Sequence, residues 1–259
     1  MSATPEGGRR SARLGRILPG LALLVAGLAA TSVLVAGPGY RFGGWGLGPA
    51  FTLLRWGAQL GAVAVAVSVV ALIASVARRS RRHLGLAALA LVVALAAFAI
   101  PWRLQAQARR APPIHDITTD PDDPPAFVAV LARRLGARNP VEYGGPAVAV
   151  QQRAAYPDLV PIELFAPPER VFRMVEAGAR GLGWEIVAAV PEEGRLEATA
   201  TTPWFGFKDD VVVRIRAQGA GSRVDVRSLS RIGGGDLGVN AARVRAFLER
   251  LRASGVPGA

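Results

Sequence analysis

The sequence predicts a membrane-anchored α+β protein. Three transmembrane helices come first, then a two-layer sandwich: an antiparallel sheet of four to five strands with helices on one side, in the order β-α-β-β-β-β-α. Three observations predict this. The 259-residue chain carries a formal net charge of +12 yet is 51% hydrophobic. Its charge is unevenly placed, with 13 Arg and one acid, Glu6, in residues 1–110, against 18 basic and 18 acidic side chains in residues 111–259. Finally, the basic half holds long uncharged runs, whereas the neutral half alternates apolar and polar residues with period two between amphipathic stretches.

The uncharged runs are Ile17 to Tyr40, Trp56 to Ala77 and His83 to Trp102. A hydrocarbon core of roughly 30 Å takes about 20 helical residues, so each run is long enough to span. Arg9, Arg10, Arg13 and Arg16 precede the first run, and Arg78, Arg79, Arg81 and Arg82 fill the link between the second and third. The other loop, about Gly37 to Pro49, carries only Arg41. Positive loops remain in the cytoplasm, which puts residues 1–16 inside and everything beyond Trp102 outside, in a periplasmic or other extracytoplasmic space. Tyr40, Trp45, Trp56 and Trp102 then fall at the outer interface, where amphipathic rings partition. A cleaved signal peptide is the alternative for the first run, and cleavage would leave that orientation unchanged. Arg55 and Gln59 lie near one end of the second span, where an arginine snorkels to the headgroups. Gly57-Ala58-Gln59-Leu60-Gly61 is a GxxxG, a pattern that permits close helix approach.

Excess positive charge confined to membrane flanks argues against nucleic acid as a partner. The absence of cysteine excludes disulfides, thiolate catalysis and cysteine-based metal sites. No cofactor and no metal is expected: the two histidines, His83 and His115, fall on opposite sides of the predicted membrane, and Asp120-Pro121-Asp122-Asp123 lacks the spacing of a calcium loop.

The three-helix anchor (17–102) is followed by a Pro-rich passage, 103–125, which reads as an extended spacer. The α+β domain is expected over 126–254. It opens with a short amphipathic helix, Ala126 to Leu135, and then shows no clear period through residue 159. Ile162 and Leu164 form a short strand, and Val171, Val175, Ala179 and Leu182 a helical stripe ending at Gly183. Four alternating runs follow, over about 184–190, 196–201, 211–216 and 224–227, with turns at Pro191–Gly194 and Gly219–Ser222. A last helix, Leu237 to Ala253, carries Ala241, Val244, Leu248 and Leu251 on one face. The polar sheet face, with Glu197, Thr199, Arg214, Arg216, Asp225 and Arg227, is expected to be solvated.

Several motifs occur in a fixed order: Pro113-Ile114-His115-Asp116-Ile117-Thr118-Thr119-Asp120, Tyr156-Pro157, Gly183-Trp184-Glu185-Ile186, Thr202-Pro203-Trp204-Phe205-Gly206-Phe207-Lys208-Asp209-Asp210, Arg223-Val224-Asp225-Val226-Arg227-Ser228 and Asp236-Leu237-Gly238-Val239-Asn240. Together they resemble the domain-of-unknown-function 1499 family over about residues 111–252. The resemblance implies a bacterial-envelope or plastid location and this fold, with no established reaction to transfer. Gly233-Gly234-Gly235 departs from the more polar stretch that members often carry.

Candidate binding residues are His115, Asp116, Trp204, Phe205, Phe207, Lys208, Asp209, Asp210, Arg227, Asp236 and Asn240. Three aromatics in four residues either cap the core or meet a partner. Lys208 is the sole lysine among 31 basic residues. Asp209 and Asp210 pair with Lys208, Arg227 or Arg231 if they are structural, and Asp236 reads as the N-cap of the last helix. Two functional readings follow. One is a non-catalytic binding or scaffolding module in the cell envelope, holding a protein partner or a lipid-like ligand. The other is a hydrolase-like envelope enzyme using Asp209, Asp210 and His115 as acid–base groups. Arginines neutralising the two aspartates favour the first; carboxylates converging with His115 in an open cleft favour the second.

Overall fold

The computed structural model describes residues 5–254; the first four residues of the expected cytoplasmic amino terminus lie outside them. The chain forms two compact units, one of residues 1–106 with Trp204–Gly206, the other of residues 107–203 and 207–259.

In the first unit, α1 (Pro5–Arg41), α2 (Leu47–Ala77) and α3 (Arg81–Arg110) include three helices long and apolar enough to cross a membrane. Their packing reverses that of a water-soluble bundle. The buried face of α2 is Ala50, Leu54, Gly57, Gly61, Ala64, Ser68, Ala71 and Ser75, alternating steps of four and three. Ala22, Ala26, Ala29, Val33 and Ala36 of α1 and Ala87, Ala90, Ala94 and Ala97 of α3 are buried with it. Large side chains such as Leu24, Ile73 and Val92 point outward and are more than half exposed. In lipid no hydrophobic force drives helices together, so small residues that let backbones approach occupy the seams. Both glycines of the GxxxG serve this purpose inside the chain. A Cβ on Gly57 would stand 2.5 Å from Val33 Cγ2 of α1, and one on Gly61 3.0 Å from the Phe98 backbone nitrogen of α3. Arg55 and Gln59 are exposed.

In the second unit, β1 (Asp116–Thr118), α4 (Gly145–Ala155), β2 (Ile162–Leu164), α5 (Pro168–Gly181), β3 (Glu185–Val190), β4 (Arg195–Thr201), β5 (Lys208–Gln218), β6 (Gly221–Ser230) and α6 (Val239–Arg252) follow in order. All strand pairs are antiparallel, in the order β1-β6-β5-β4-β3, with β2 also on β6. From β2 onward the order is the expected β-α-β-β-β-β-α. On one sheet face Leu196, Ala198, Val211, Val213, Ile215, Val224 and Val226 meet Val171 and Val175 of α5 and Val244, Leu248 and Leu251 of α6 in one core. Trp184 stacks on Phe247 with ring centroids 4.9 Å apart.

Five local expectations differ from the structure. The passage expected as a spacer is helical to Arg110 and then supplies β1, whose three residues pair with Arg227–Leu229. The helix expected over Ala126–Leu135 is a 3-10 helix, Ala129–Arg134: Phe127 and Val130 bury against Val212 and Leu229, while Leu131 and Leu135 are exposed. The aperiodic stretch contains α4, which Gln152 ties to β1 by accepting from Thr118 N at 2.9 Å and donating to Thr118 O at 2.6 Å. A register shift between Ile186 and Ala188 breaks the alternation of β3. Finally, most of the polar face of the sheet is not solvated, although Arg216 remains exposed. Residues 120–134 lie across it, and with the Asp116 side chain of the edge strand they bury Glu197, Thr199, Asp210, Asp225 and Arg227.

Candidate functional site

Strand parity decides where each charge goes. Successive residues of a strand point to opposite faces, so Asp210 faces away from the helices with Val212 and Arg214, whereas Asp209 faces α6 with Val211 and Val213. The two adjacent aspartates therefore occupy different environments.

On the face away from the helices three carboxylates are wholly buried and each is fully engaged. Glu197 accepts from the backbone nitrogens of Val128, Ala129 and Val130 at 2.9–3.1 Å, and also from Arg195. Its charge thus meets the unpaired N–H groups that open the 3-10 helix. Asp210 accepts from Arg134 at 2.6 Å, from Arg231 at 2.7 and 3.0 Å, and from the Thr199 hydroxyl at 2.8 Å. Asp225 accepts from Arg214, Arg216 and Arg223, and Arg223 also reaches Asp120 at 2.7 Å. Between these sits Arg227. It binds Asp116 in bidentate fashion at 2.7 and 3.0 Å, donates to Pro125 O and Val141 O, and lies over the rings of Phe127 and Tyr143. Burial pushes the Asp116 carboxyl up from its ordinary value, with the hydrogen bond and charge of Arg227 opposing. Burial, and then the neighbouring Asp116, push the Tyr143 phenol up to about 12.

On the helix-facing side a second polar cluster closes the same end of the sheet. Asp209 accepts from Arg243 of α6 at 2.6 Å. Arg243 also donates to Ser228 Oγ at 3.0 Å and to Asn240 Oδ1. Asn240, fully buried, accepts from Ser228 at 2.7 Å and donates to Ser230 Oγ and to His115 O. Asp236 precedes α6 and accepts from Gly238 N at 2.9 Å and Asn240 N at 2.7 Å, so its carboxylate does cap-like work although the N-cap position is Gly238. Burial raises its pKa against those two hydrogen bonds. His115 contributes its backbone carbonyl, accepting from Ser230 N and Asn240 Nδ2; its ring Nδ1 is buried without a hydrogen-bond partner.

The remaining candidates lie elsewhere. Lys208 opens β5 and is exposed, and neither aspartate pairs with it. Phe207 donates its backbone N–H to Thr202 Oγ1. Trp204 and Phe205 belong to the first unit, where Phe205 is buried between Tyr40 and Phe51 with ring centroids 6.1 and 6.0 Å away. A cleft of about 250 Å³ is lined by Thr119, Asp120, Asp122, Gln152, Tyr156 and Arg223 among others. Its two acids are held by Arg223 and Arg153. No group of three or more His, Asp or Glu placed to hold a metal occurs among the described residues.

Sequence reasoning named Asp116, Asp209, Asp210, Arg227, Asp236 and Asn240, with Arg243 beside Asn240 one turn past Asp236, but not Arg134, Glu197 or Asp225 as their companions. A signal for two of these was present: Glu197 and Asp225 share the strand face that carries Arg214 and Arg227. A family model described as "Protein of unknown function (DUF1499)" matches residues 116–251. Among curated proteins none matches the chain.

Proposed function

This chain belongs to the domain-of-unknown-function 1499 family, and we propose that it is a non-catalytic binding or scaffolding module held by three helices on the outer side of the cytoplasmic membrane. The orientation rests on arginine placement. Arg78, Arg79, Arg81 and Arg82 between α2 and α3, with Arg9, Arg10, Arg13 and Arg16 at the amino terminus, resist translocation and export the neutral half. The neutral half then works in the cell envelope, toward a protein partner.

The observation that carries the non-catalytic reading is the fate of Asp209 and Asp210. They point to opposite faces of one strand, and arginines hold both, Arg243 on one side and Arg134 with Arg231 on the other. Acid–base catalysis needs groups that reach one substrate, and two carboxylates separated by the thickness of a sheet do not. Support for a lipid-like ligand is weaker, because Val175, Phe247, Leu248 and Leu251 fill the space between helices and sheet.

The test uses variants that remove ionisable chemistry while keeping size. Asp209→Asn combined with Arg243→Gln, and separately His115→Gln, are expected to restore the phenotype of a deletion strain to the wild-type level. A variant that accumulates normally in the membrane yet fails to complement overturns the non-catalytic reading.

A further inference from the structure

We propose that Gly37-Pro38-Gly39 of α1 is a receptor for indole rings, and that the tip Trp204-Phe205-Gly206 of the β4–β5 connection is its built-in occupant, a part of the helical bundle. This inference is independent of what the soluble module binds.

The receptor begins with Pro38. Proline has no N–H, so the carbonyl four residues earlier, Leu34 O, has no helical donor. In or near a bilayer a carbonyl without a partner is costly, and neighbouring side chains are drawn to it. Trp204 Nε1 donates to Leu34 O in a long hydrogen bond of 3.4 Å. Glycine makes this approach feasible, because a Cβ on Gly37 would stand 2.5 Å from Trp204 Cδ1. The glycine seat and the indole donor recur once more, at a carbonyl that Pro38 does not open. Trp45 lies over Gly39, where a Cβ would overlap its ring, and donates Nε1 to Ala36 O at 3.2 Å.

Phe205 completes the occupant. It sits edge-on to Trp204 at 5.1 Å and buries between Tyr40 and Phe51. Gly206 follows with φ +69°, in the left-handed region, and a Cβ there would meet the Arg41 side chain at 2.8 Å. Each of the three tip residues thus has a specific counterpart in the first two helices. Of the aromatics that the sequence left as either a cap on the core or a partner surface, Trp204 and Phe205 are taken up by the helices.

Lys208, two residues past the tip, is the only lysine in the chain, so a lysine-specific protease has a single site and its cleavage rate reports opening of the tip. The full chain in detergent is the substrate. Trp204→Phe keeps a ring but removes the donor, and should raise the cleavage rate about tenfold, the worth of one net hydrogen bond with its packing. Gly37→Leu fills the seat and should raise it at least as much. Pro38→Ala gives Leu34 O a helical donor, so adding Trp204→Phe to Pro38→Ala should change the rate less than twofold. Far-UV circular dichroism confirms that each variant remains folded. Wild-type cleavage rates in both folded Trp204→Phe and Gly37→Leu overturn the proposal, as does equal acceleration by Trp204→Phe with and without Pro38.

Discussion

Arg227 receives two carboxylate oxygens, two backbone carbonyls and two aromatic faces in a setting that is 4% exposed. Only a planar fork with five donors satisfies that set; an ammonium has neither the span nor the flat faces. Removing one partner of a buried pair leaves the other charge unpaired, which costs about 3–5 kcal/mol. Arg227→Met is therefore expected to destabilise the chain by that amount in denaturant unfolding of the full protein, and a loss below about 1 kcal/mol would show the pair to be dispensable. Asp236 gives a pH dependence of definite sign. Its folded pKa lies above the ordinary 3.8, so between those two values the native state holds more protons than the unfolded one. Its contribution to stability is full below 3.8 and is lost as pH rises through the folded value. In Asp236→Asn the unfolding free energy should vary less with pH across that window; an unchanged profile would assign the dependence to other groups.

At the scale of elements, period two is what separates Asp209 from Asp210; the alternating run legible in the sequence began only at about residue 211, and it is the observed strand, Lys208–Gln218, that takes in both aspartates. The spans, the four long strands and helices α5 and α6 were legible because each repeats its period several times. Three residues cannot display a period, so β1 was hidden in a Pro-rich passage; its partner Leu229 lies more than a hundred residues on. Helix α4 starts at Gly145-Pro146 and exposes Val150, leaving little apolar stripe to see. The burial of the polar sheet face was equally hidden, because its cover is irregular chain and one short 3-10 helix rather than an amphipathic α-helix. Glu197 is the pin of that cover. Glu197→Ala leaves three backbone N–H groups without their acceptor, at about 1–3 kcal/mol for each that stays buried. Amide exchange at Val128, Ala129 and Val130 should quicken far more than exchange within β4–β5. Equal protection in the variant would mean that packing of Phe127 and Val130 alone holds the segment. In the bundle, Gly61→Ile drives a branched side chain into the Phe98 backbone and should lower resistance to unfolding in SDS; wild-type resistance would show that α2 and α3 have room to separate.

For the whole molecule, composition had already divided the labour: one half is cationic, apolar and seamed with alanine, and the other is electrically neutral because its charges are spent on one another. What composition could not reveal was the Trp204 seat, which joins residues 170 positions apart through a carbonyl that Pro38 leaves open. Export of the neutral half is the claim on which the proposed envelope role depends. The chain has no cysteine, so single cysteines can be placed and labelled without background. Leu135→Cys, at a position 91% exposed, should react in intact cells with a maleimide that cannot cross the membrane, while Arg79→Cys in the α2–α3 link should react only after permeabilisation. Labelling of Arg79→Cys from outside, with Leu135→Cys protected until the cells are opened, would contradict it.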